Sequence, residues 1–510
     1  MLNLSLIILS AVLTGLAFPP CNFFYLAFIG LAPLFYVMSG VSDYKTTAKY
    51  ALLWGFVFYM QILGGLLAMQ EYAPLILLLL ATVAFALAET LFILAALLVG
   101  KFIQKNPIGR GFIRVLIAAL GYAFAWVLFD WLRSLGMWRF TGGGLAYSQY
   151  LFTEFIQLAR YIGAHGLTFV IVLLNALTGI CAARIRTASS MEKRNWLIAL
   201  LVFFILGCLT FYFIGLDLEL AAQEKHPQKR ITVYQPAIPQ ETKLDYDNQE
   251  EIRQIYLNNI RAYSQQNKTD LLIMPETIVP EFLLENKEFL FALRDALGFS
   301  LIFGTPRREK NDPRWYNSVV LLNRYGSVTV LHDKKYLVPF GEYIPFRPLF
   351  ARLLRKLGLL KSEYSPGIRN MPAIDAPDYA VAICFESLFS YQLREQISKG
   401  GRLILVITND AWFGRTRILD MHLSFAVLRA VENNRYVLQA ANTGRSAIID
   451  NRGRILRISD IDVQDWLESE VSIVKYPAIY TFLGEGTIYL ALVFFLLYLY
   501  FFLTSKAREQ

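Results

Sequence analysis

This chain has long apolar segments towards both ends and a polar region between them. Seven apolar segments precede Asp217, and an eighth lies near the end of the chain. Most of them reach the ~20 residues that a membrane-spanning helix needs. The first is short for a span, and we interpret it as a retained helix that forms a hairpin with the second. The segments are Leu2–Phe18, Phe23–Ser39, Tyr50–Gln70, Ala73–Gly100, Val115–Leu132, Ile156–Ala183, Trp196–Leu216 and Phe482–Leu503.

The polar region alternates short apolar runs with amphipathic stretches. Strands are predicted at Ile231–Gln235, Leu271–Glu276, Leu301–Thr305, Ser318–Leu322, Tyr379–Glu386, Leu403–Thr408, Tyr436–Ala441 and Ala447–Ile449. Helices are predicted at Asn248–Gln265, Lys287–Leu297, Leu388–Lys399 and Leu419–Asn433. Strands interleaved with helices are typical of a layered α/β domain. We therefore predict a membrane domain at 1–216 with seven helices, an α/β domain at 217–480, and a last transmembrane helix with a short tail at 481–510.

Composition and charge agree with this division. The chain has 510 residues, 55% of them hydrophobic, and a mean hydropathy of +0.42, which excludes an ordinary soluble domain. The net charge of +9 is carried mainly by the apolar regions and their loops, so it indicates membrane orientation and not nucleic-acid binding. Basic residues concentrate in one set of loops. The positive-inside rule assigns those loops and both termini to the cytoplasm, and the α/β domain to the opposite side.

Candidate chemistry lies where three apolar runs end. Glu276 follows one run, Lys334 and Lys335 precede a Pro-Phe-Gly turn, and Cys384 ends another run as the one cysteine of the polar region. A glutamate can take the proton of a thiol, and an ammonium group favours the thiolate and stabilises an oxyanion. Each residue alone has an ordinary interpretation as a solvated charge or a buried cysteine. The combination indicates an activated thiol.

Charged residues within the apolar segments are few. Glu89 and Asp130 are ionisable groups where such groups are costly, and Asp130 has Arg133 at helix ion-pair spacing. We interpret the Asp130–Arg133 pair as structural. The four histidines show no ligand spacing, so no metal and no cofactor are expected.

A basic amphipathic helix is predicted at Phe346–Leu360, between the lysine and cysteine motifs. Such a helix can lie on a bilayer surface and control the entry of lipid chains. The alternative is an ordinary helix packed on the domain. The apolar residues that we expect to act as a lid or to bind substrate are Leu349, Phe350, Leu353 and Leu354.

Together, these motifs resemble the nitrilase, or carbon–nitrogen hydrolase, superfamily. The resemblance rests on Met274-Pro275-Glu276, on Lys334 eight residues before Glu342, on Ile383-Cys384-Phe385-Glu386, on Asn409–Gly414, on His422–Arg429 and on Asn442-Thr443-Gly444.

This resemblance implies an α-β-β-α sandwich with a catalytic triad. Glu276 would be the general base and acid, Lys334 would stabilise the oxyanion and the thiolate, and Cys384 would be the nucleophile. The family spacing to the turn glutamate assigns Lys334 and not Lys335. Supporting roles would fall to Glu342, Phe385 and Glu386, with Trp412 among the substrate-binding or lid residues.

With seven spans before the α/β domain and one after it, the whole chain is similar to the apolipoprotein N-acyltransferases of Gram-negative inner membranes. The resemblance implies transfer of an acyl chain from a membrane phospholipid to the N-terminal α-amine of an apolipoprotein that carries a diacylglyceryl cysteine. The transfer would be ping-pong, through a thioester. It also implies a periplasmic catalytic domain, no nucleic-acid partner and no cofactor, and we expect a monomer.

Two positions depart from the family pattern. Many members have Tyr where this chain has Phe385, and they often have Trp where it has Leu244. These differences concern auxiliary contacts.

Two other functions stay open. The nearest alternative function is a membrane-anchored amidase or nitrilase-type hydrolase that uses the same triad. A transporter with a non-catalytic domain is the second, although the few intramembrane charges argue against it.

Overall fold

The computed structural model describes residues 2–185, 207, 226–309, 313–356, 363–368 and 378–507, without the side chains of 349–351, 353 and 354. The chain divides into two compact units. The first comprises 1–70, 74–224 and 483–510, and the second comprises 71–73 and 225–482. Each unit is described by itself below.

The first unit is helical. Among the residues that the structure describes, five helical segments are long and apolar enough to cross a membrane: Tyr44–Glu71, Leu75–Lys105, Gly111–Leu132, Ala159–Ile185 and Gly486–Ala507. In Tyr44–Glu71, the α-helix ends at Leu63 and a 3₁₀ segment follows. Shorter apolar segments are Leu2–Leu16 and Phe24–Gly40, and a short helix covers Thr153–Ile156. The predicted segment Trp196–Leu216 lies outside the described residues. The polytopic helical fold that the sequence predicts is confirmed. The number of transmembrane helices predicted from the sequence is about eight.

Close packing in this unit depends on glycines. A Cβ on Gly100 would lie 2.1 Å from the Tyr122 ring, and one on Gly55 would lie 2.6 Å from the Thr90 side chain. Without a Cβ, the backbones of neighbouring helices can approach closely, which is the main source of association between apolar helices.

A buried cluster of charges also joins these helices. Arg133 donates to Glu89 Oε2 at 2.9 Å and pairs with Asp130 Oδ1 at 2.7 Å. It also donates to the carbonyl oxygen of Gly142 at 2.8 Å. The predicted Asp130–Arg133 pair is confirmed. The same guanidinium also neutralises Glu89, 44 residues away in the chain, so Glu89 and Asp130 share one cation.

The second unit contains two sheets. The strands are β1 (Gln228–Gln235), β2 (Leu271–Ile273), β3 (Ser300–Arg308), β4 (Trp315–Leu322), β5 (Val328–Asp333), β6 (Tyr379–Ile383), β7 (Leu403–Thr408), β8 (Val437–Ala441), β9 (Ala447–Ile449), β10 (Ile455–Ile458) and β11 (Asp465–Ser472). One sheet has the order β11-β1-β2-β3-β4-β5, and the other has β10-β9-β8-β7-β6. The central strands β1-β2-β3 and β6-β7-β8 are parallel.

The layers follow from the two hydrophobic clusters. One cluster joins inward residues of both sheets, such as Ile273 and Leu405. The other packs the helices Gln249–Gln266 and Lys287–Ala296 on the outer face of the six-stranded sheet, as Tyr256 and Leu293 show. The helices Ser390–Ser398 and Arg417–Asn433 contact the five-stranded sheet. This is the predicted α-β-β-α sandwich.

All eight predicted strands are present, with small shifts at their ends. Three strands, β5, β10 and β11, were not predicted. β11 mixes acidic residues and serines with a few apolar residues, and it pairs antiparallel with β1 along its whole length. The predicted amphipathic helix is observed at Arg347–Lys356, and residues 357–360 lie outside the described part of the chain.

Candidate active site

Glu276 reaches the site because β2 ends shortly before it. The strand is fully buried between β1 and β3, and Pro275 follows it. Gly304 of β3 lies against this exit, with its N–H donating to Pro275 O at 3.0 Å. A Cβ at residue 304 would lie only 2.6 Å from Glu276 Cα. The missing side chain of Gly304 therefore makes room for the backbone that carries the carboxylate.

Three donors hold the Glu276 carboxylate. Oε1 accepts from Asn317 Nδ2 at 2.6 Å and from Lys334 Nζ at 3.3 Å, and Oε2 accepts from the backbone N–H of Asn409 at 2.9 Å. Burial raises the pKa of Glu276, and the nearby Glu342 raises it further. Lys334 and Asn317 act in the opposite direction without cancelling the shift. A fixed carboxylate with a raised pKa is suited to accept a proton near neutral pH.

Lys334 lies between two carboxylates. Its side chain is 1% exposed, and Nζ donates to Glu342 Oε1 at 2.8 Å as well as to Glu276. Burial lowers the pKa of Lys334, but Glu276, Glu342 and Cys384 together raise it well above its ordinary value. This lysine is therefore a permanent cation. The other oxygen of Glu342 accepts from the backbone N–H of Val338 at 2.8 Å, which holds the turn around it.

Cys384 lies at the junction between β6 and a 3₁₀ segment, Cys384–Leu388. Its φ of +50° is in the left-handed region, an uncommon conformation for a residue with a Cβ and one that recurs at functional sites. Burial raises the pKa of the thiol, and Lys334 lowers it only in part, since Glu276 and Asp410 also raise it. The resting sulfur is therefore a neutral thiol, and its activation requires a base.

An Asp–His pair lies behind Cys384. Asp410 follows β7, and its Oδ1 accepts from Thr408 Oγ1 at 2.9 Å and lies 3.0 Å from His422 Nδ1. His422 Nε2 lies 3.1 Å from the carbonyl oxygen of Cys384. Both side chains are buried. The pair therefore connects the helix Arg417–Asn433 to the backbone of the cysteine.

Glu386 binds backbone N–H groups on both sides of the site. It accepts from Lys335 N at 2.7 Å and from Ile383 N at 2.9 Å, and it lies 2.8 Å from His332 Nε2. Burial would raise the pKa of Glu386, but His332 and these N–H groups hold it below its ordinary value. Through the backbone N–H of Lys335, Glu386 therefore connects the cysteine segment to the segment that carries Lys334.

The remaining predicted residues have varied surroundings. The Phe385 ring packs on Phe389, and Trp412 packs edge-to-face on Tyr72 with ring centroids 5.0 Å apart. Leu244, one of the two expected departures from the family pattern, is 48% exposed. The side chains of Leu349, Phe350, Leu353 and Leu354 lie outside the described part of the structure. Among the described residues, no group of three or more His, Cys, Asp or Glu side chains could hold a metal ion.

Two family matches cover most of the chain in succession. Residues 10–177 match the apolipoprotein N-acyltransferase N-terminal domain, and residues 230–478 match the carbon–nitrogen hydrolase family. An apolipoprotein N-acyltransferase of Geobacter metallireducens is 29% identical over 94% of this chain and 91% of the relative. The chain belongs to the apolipoprotein N-acyltransferase family. A relative of the same name from Nitrosomonas europaea is 30% identical over 68% of this chain and 66% of its own length.

Two solved structures are also similar to about half of this chain. A carbon–nitrogen hydrolase from Helicobacter pylori is 16% identical, with a TM-score of 0.38 over 49% of this chain and 90% of its own. An amidase from Nesterenkonia sp. AN1 is 19% identical, with a TM-score of 0.38 over 51% and 98% of the two chains.

Sequence patterns missed three groups around the predicted triad of this family member. Asn317 lies on β4, a strand on which the sequence predicted no site residue. Its amide donates to both Glu276 and Glu342. Asn409 acts through its backbone N–H, and its side chain donates to Gln240 Oε1 at 2.9 Å. His422 begins one of the motifs on which the family resemblance rests, but the sequence indicated no role for it. For Asn317, the one available signal was a polar residue within an apolar strand.

Proposed function

We propose that this protein transfers an acyl chain from a membrane phospholipid to the N-terminal α-amine of an apolipoprotein that carries a diacylglyceryl cysteine. The main support is the arrangement of Lys334, which donates to Glu276 and whose charge acts on the Cys384 thiol. The names of the relatives in this family supply the acceptor class. The two amphiphilic substrates fit a chain with several membrane-spanning helices.

The first half-reaction begins with a proton transfer. Glu276 takes the thiol proton of Cys384 while the sulfur attacks the ester carbonyl of the phospholipid. The tetrahedral oxyanion receives hydrogen bonds from Lys334 and from the backbone N–H of Phe385, at the start of a 3₁₀ segment where N–H groups lack a partner within the helix. The C–O bond then breaks, Glu276 returns the proton to the leaving oxygen, and lysophospholipid departs. The acyl group remains as a thioester on Cys384.

The second half-reaction uses the same residues in reverse. The neutral α-amine of the apolipoprotein attacks the thioester carbonyl, and Glu276 accepts a proton from the attacking nitrogen. The C–N bond forms, the C–S bond breaks, and the proton returns to the sulfur. Because the first product leaves before the second substrate reacts, ping-pong kinetics follow. The distribution of basic loops supports a periplasmic site with cytoplasmic termini.

The test is to capture the acyl-enzyme. Purified full-length protein in detergent is incubated with a phospholipid labelled in its acyl chain, and the thioester is located by mass spectrometry. The adduct is expected on Cys384, absent in Cys384→Ala, and unchanged in Cys21→Ala, a matched control at an exposed cysteine. A lipopeptide with a free amino-terminal diacylglyceryl cysteine should then remove the label.

Two outcomes would refute the proposal. An adduct formed equally well by Cys384→Ala would exclude Cys384 as the nucleophile. Absence of a phospholipid adduct together with release of ammonia from a small amide would instead favour a membrane-anchored amidase.

A further inference from the structure

The hydrogen bonds of His422 determine its protonation state. Nδ1 lies 3.0 Å and 3.1 Å from the two oxygens of Asp410, and Nε2 lies 3.1 Å from Cys384 O. A carbonyl oxygen can only accept, so Nε2 must carry a proton. Asp410 Oδ1 accepts from Thr408 Oγ1, and a second proton on Nδ1 lets the ring donate to the Asp410 carboxylate as well. All of these contacts are satisfied together when His422 is an imidazolium.

The groups that face His422 favour this charged form. Burial lowers the pKa of His422, but Asp410, the Cys384 carbonyl and Glu276 together raise it. Lys334 lowers the pKa of the Cys384 thiol and Asp410 raises it, while His422 contacts the carbonyl oxygen of the same cysteine.

The contact between His422 and the Cys384 carbonyl can stabilise the unusual backbone conformation of the cysteine. The left-handed conformation of Cys384 is costly for a residue with a side chain, and surrounding structure has to maintain it. His422 is buried in a 17-residue helix and is fixed at its other nitrogen by Asp410. A rigid donor on the Cys384 carbonyl can hold this conformation, and a proton on His422 offsets the Asp410 anion, which otherwise raises the pKa of the thiol.

We propose that His422, oriented by Asp410, is a positioning residue for Cys384 that fixes its backbone by hydrogen bonding and promotes thiolate formation by its charge. This inference rests on the proposed role of Cys384 as the nucleophile.

Two substitutions separate the hydrogen bond from the charge. In His422→Gln, the side-chain amide can still donate to the Cys384 carbonyl but carries no charge. In His422→Asn, the shorter side chain can reach Asp410 but not the carbonyl. Ser424→Ala is the matched control, since Ser424 lies buried on the same helix and its hydroxyl binds Met421 O. Asp410→Asn is a third variant that retains the ring and removes the anion.

The assay measures the reactivity of the thiol itself. Full-length protein in detergent reacts with iodoacetamide over a range of pH, and mass spectrometry quantifies alkylation of the Cys384 peptide. With His422→Gln, the apparent pKa of the thiol should rise by about one unit, so alkylation near neutral pH should be about tenfold slower. His422→Asn should be slower still. Asp410→Asn should shift the pH profile less than His422→Gln does, because it also removes an anion that raises the pKa of the thiol. Ser424→Ala should match the wild-type protein.

The inference fails if those variants that keep the wild-type unfolding temperature also keep its alkylation rate and pH profile. A loss of rate at every pH without a shift of the profile would also overturn it, because that result indicates a purely structural role. Alkylation needs no phospholipid. A failure of the proposed acyl transfer would therefore appear in the thioester experiment, whereas a failure of the His422 inference would appear here.

Discussion

Replacing Gly304 with alanine should reduce activity, although it changes none of the functional side chains. The new Cβ would lie 2.6 Å from Glu276 Cα, 2.7 Å from Thr277 N and 3.0 Å from Pro275 O. All three are backbone atoms, so no flexible side chain can move aside. Ordinary contact begins at 3.4 Å. The backbone at Glu276 must therefore shift by the difference between 3.4 and 2.6 Å, about 0.8 Å.

The size of this shift sets two expected effects. Overpacking of a tight core typically destabilises a protein by about 1–3 kcal/mol, so the unfolding temperature should fall. A misplacement of ~1 Å at a reacting group can reduce the rate about 100-fold. Glu276 is also held by donors from Asn317 and Asn409, which cannot follow the displaced carboxylate without losing their own contacts.

The assay compares thioester formation on Cys384 with thermal unfolding, in detergent, for Gly304→Ala and for Gly298→Ala. Gly298 lies just before β3, and a Cβ there would meet nothing within 4 Å. It is therefore a matched control for the loss of a glycine in this region. If Gly304→Ala formed the thioester at the rate of Gly298→Ala, the close approach at Glu276 would not determine the geometry of the base.

Two further predictions concern hydrogen bonds on buried charges. Asn317→Ala removes a donor that lowers the pKa of Glu276, so the pKa should rise and the acidic limb of the rate profile should move to higher pH. Ser318→Ala, whose hydroxyl binds Asp333, should leave that limb in place, and an unmoved limb in Asn317→Ala would contradict the role of its amide. Arg133→Leu leaves both Glu89 and Asp130 without their cation and should cost about 3–5 kcal/mol of stability, measured by unfolding in detergent. Adding Glu89→Leu should restore part of the loss, and no rescue would mean that the unpaired Glu89 carboxylate does not contribute to it.

The sequence predicted the elements of the sandwich well because their cores are apolar and continuous. Leu403–Thr408 was predicted with the observed ends, and it is buried along its whole length. Strand β11 was missed because its acidic positions interrupt the apolar pattern, and because its pairing with β1 and the burial of Leu467 and Val471 depend on the tertiary fold. Pairing between strands more than 200 residues apart leaves no local signal in the chain.

The site residues divide in the same way. Glu276 and Cys384 could be predicted because each follows an apolar strand directly, and the ends of strands collect functional groups. Asn317 donates its amide to carboxylates 41 and 25 residues away, and Arg133 reaches Glu89 across 44 residues. Such partners are determined by tertiary packing, which a single sequence does not contain.

The charges of the site explain why a buried thiol can remain inert until substrate arrives. Lys334 is neutralised by two carboxylates, Glu276 and Glu342, so its field at the sulfur is partly cancelled and the thiol keeps its proton. In the proposed mechanism, Glu276 takes that proton and loses its own charge, and Lys334 then faces the new thiolate with only Glu342 as a competitor. The stabilisation of the thiolate therefore increases at the moment of proton transfer. A site with this arrangement activates its nucleophile during attack instead of storing a reactive thiolate at rest.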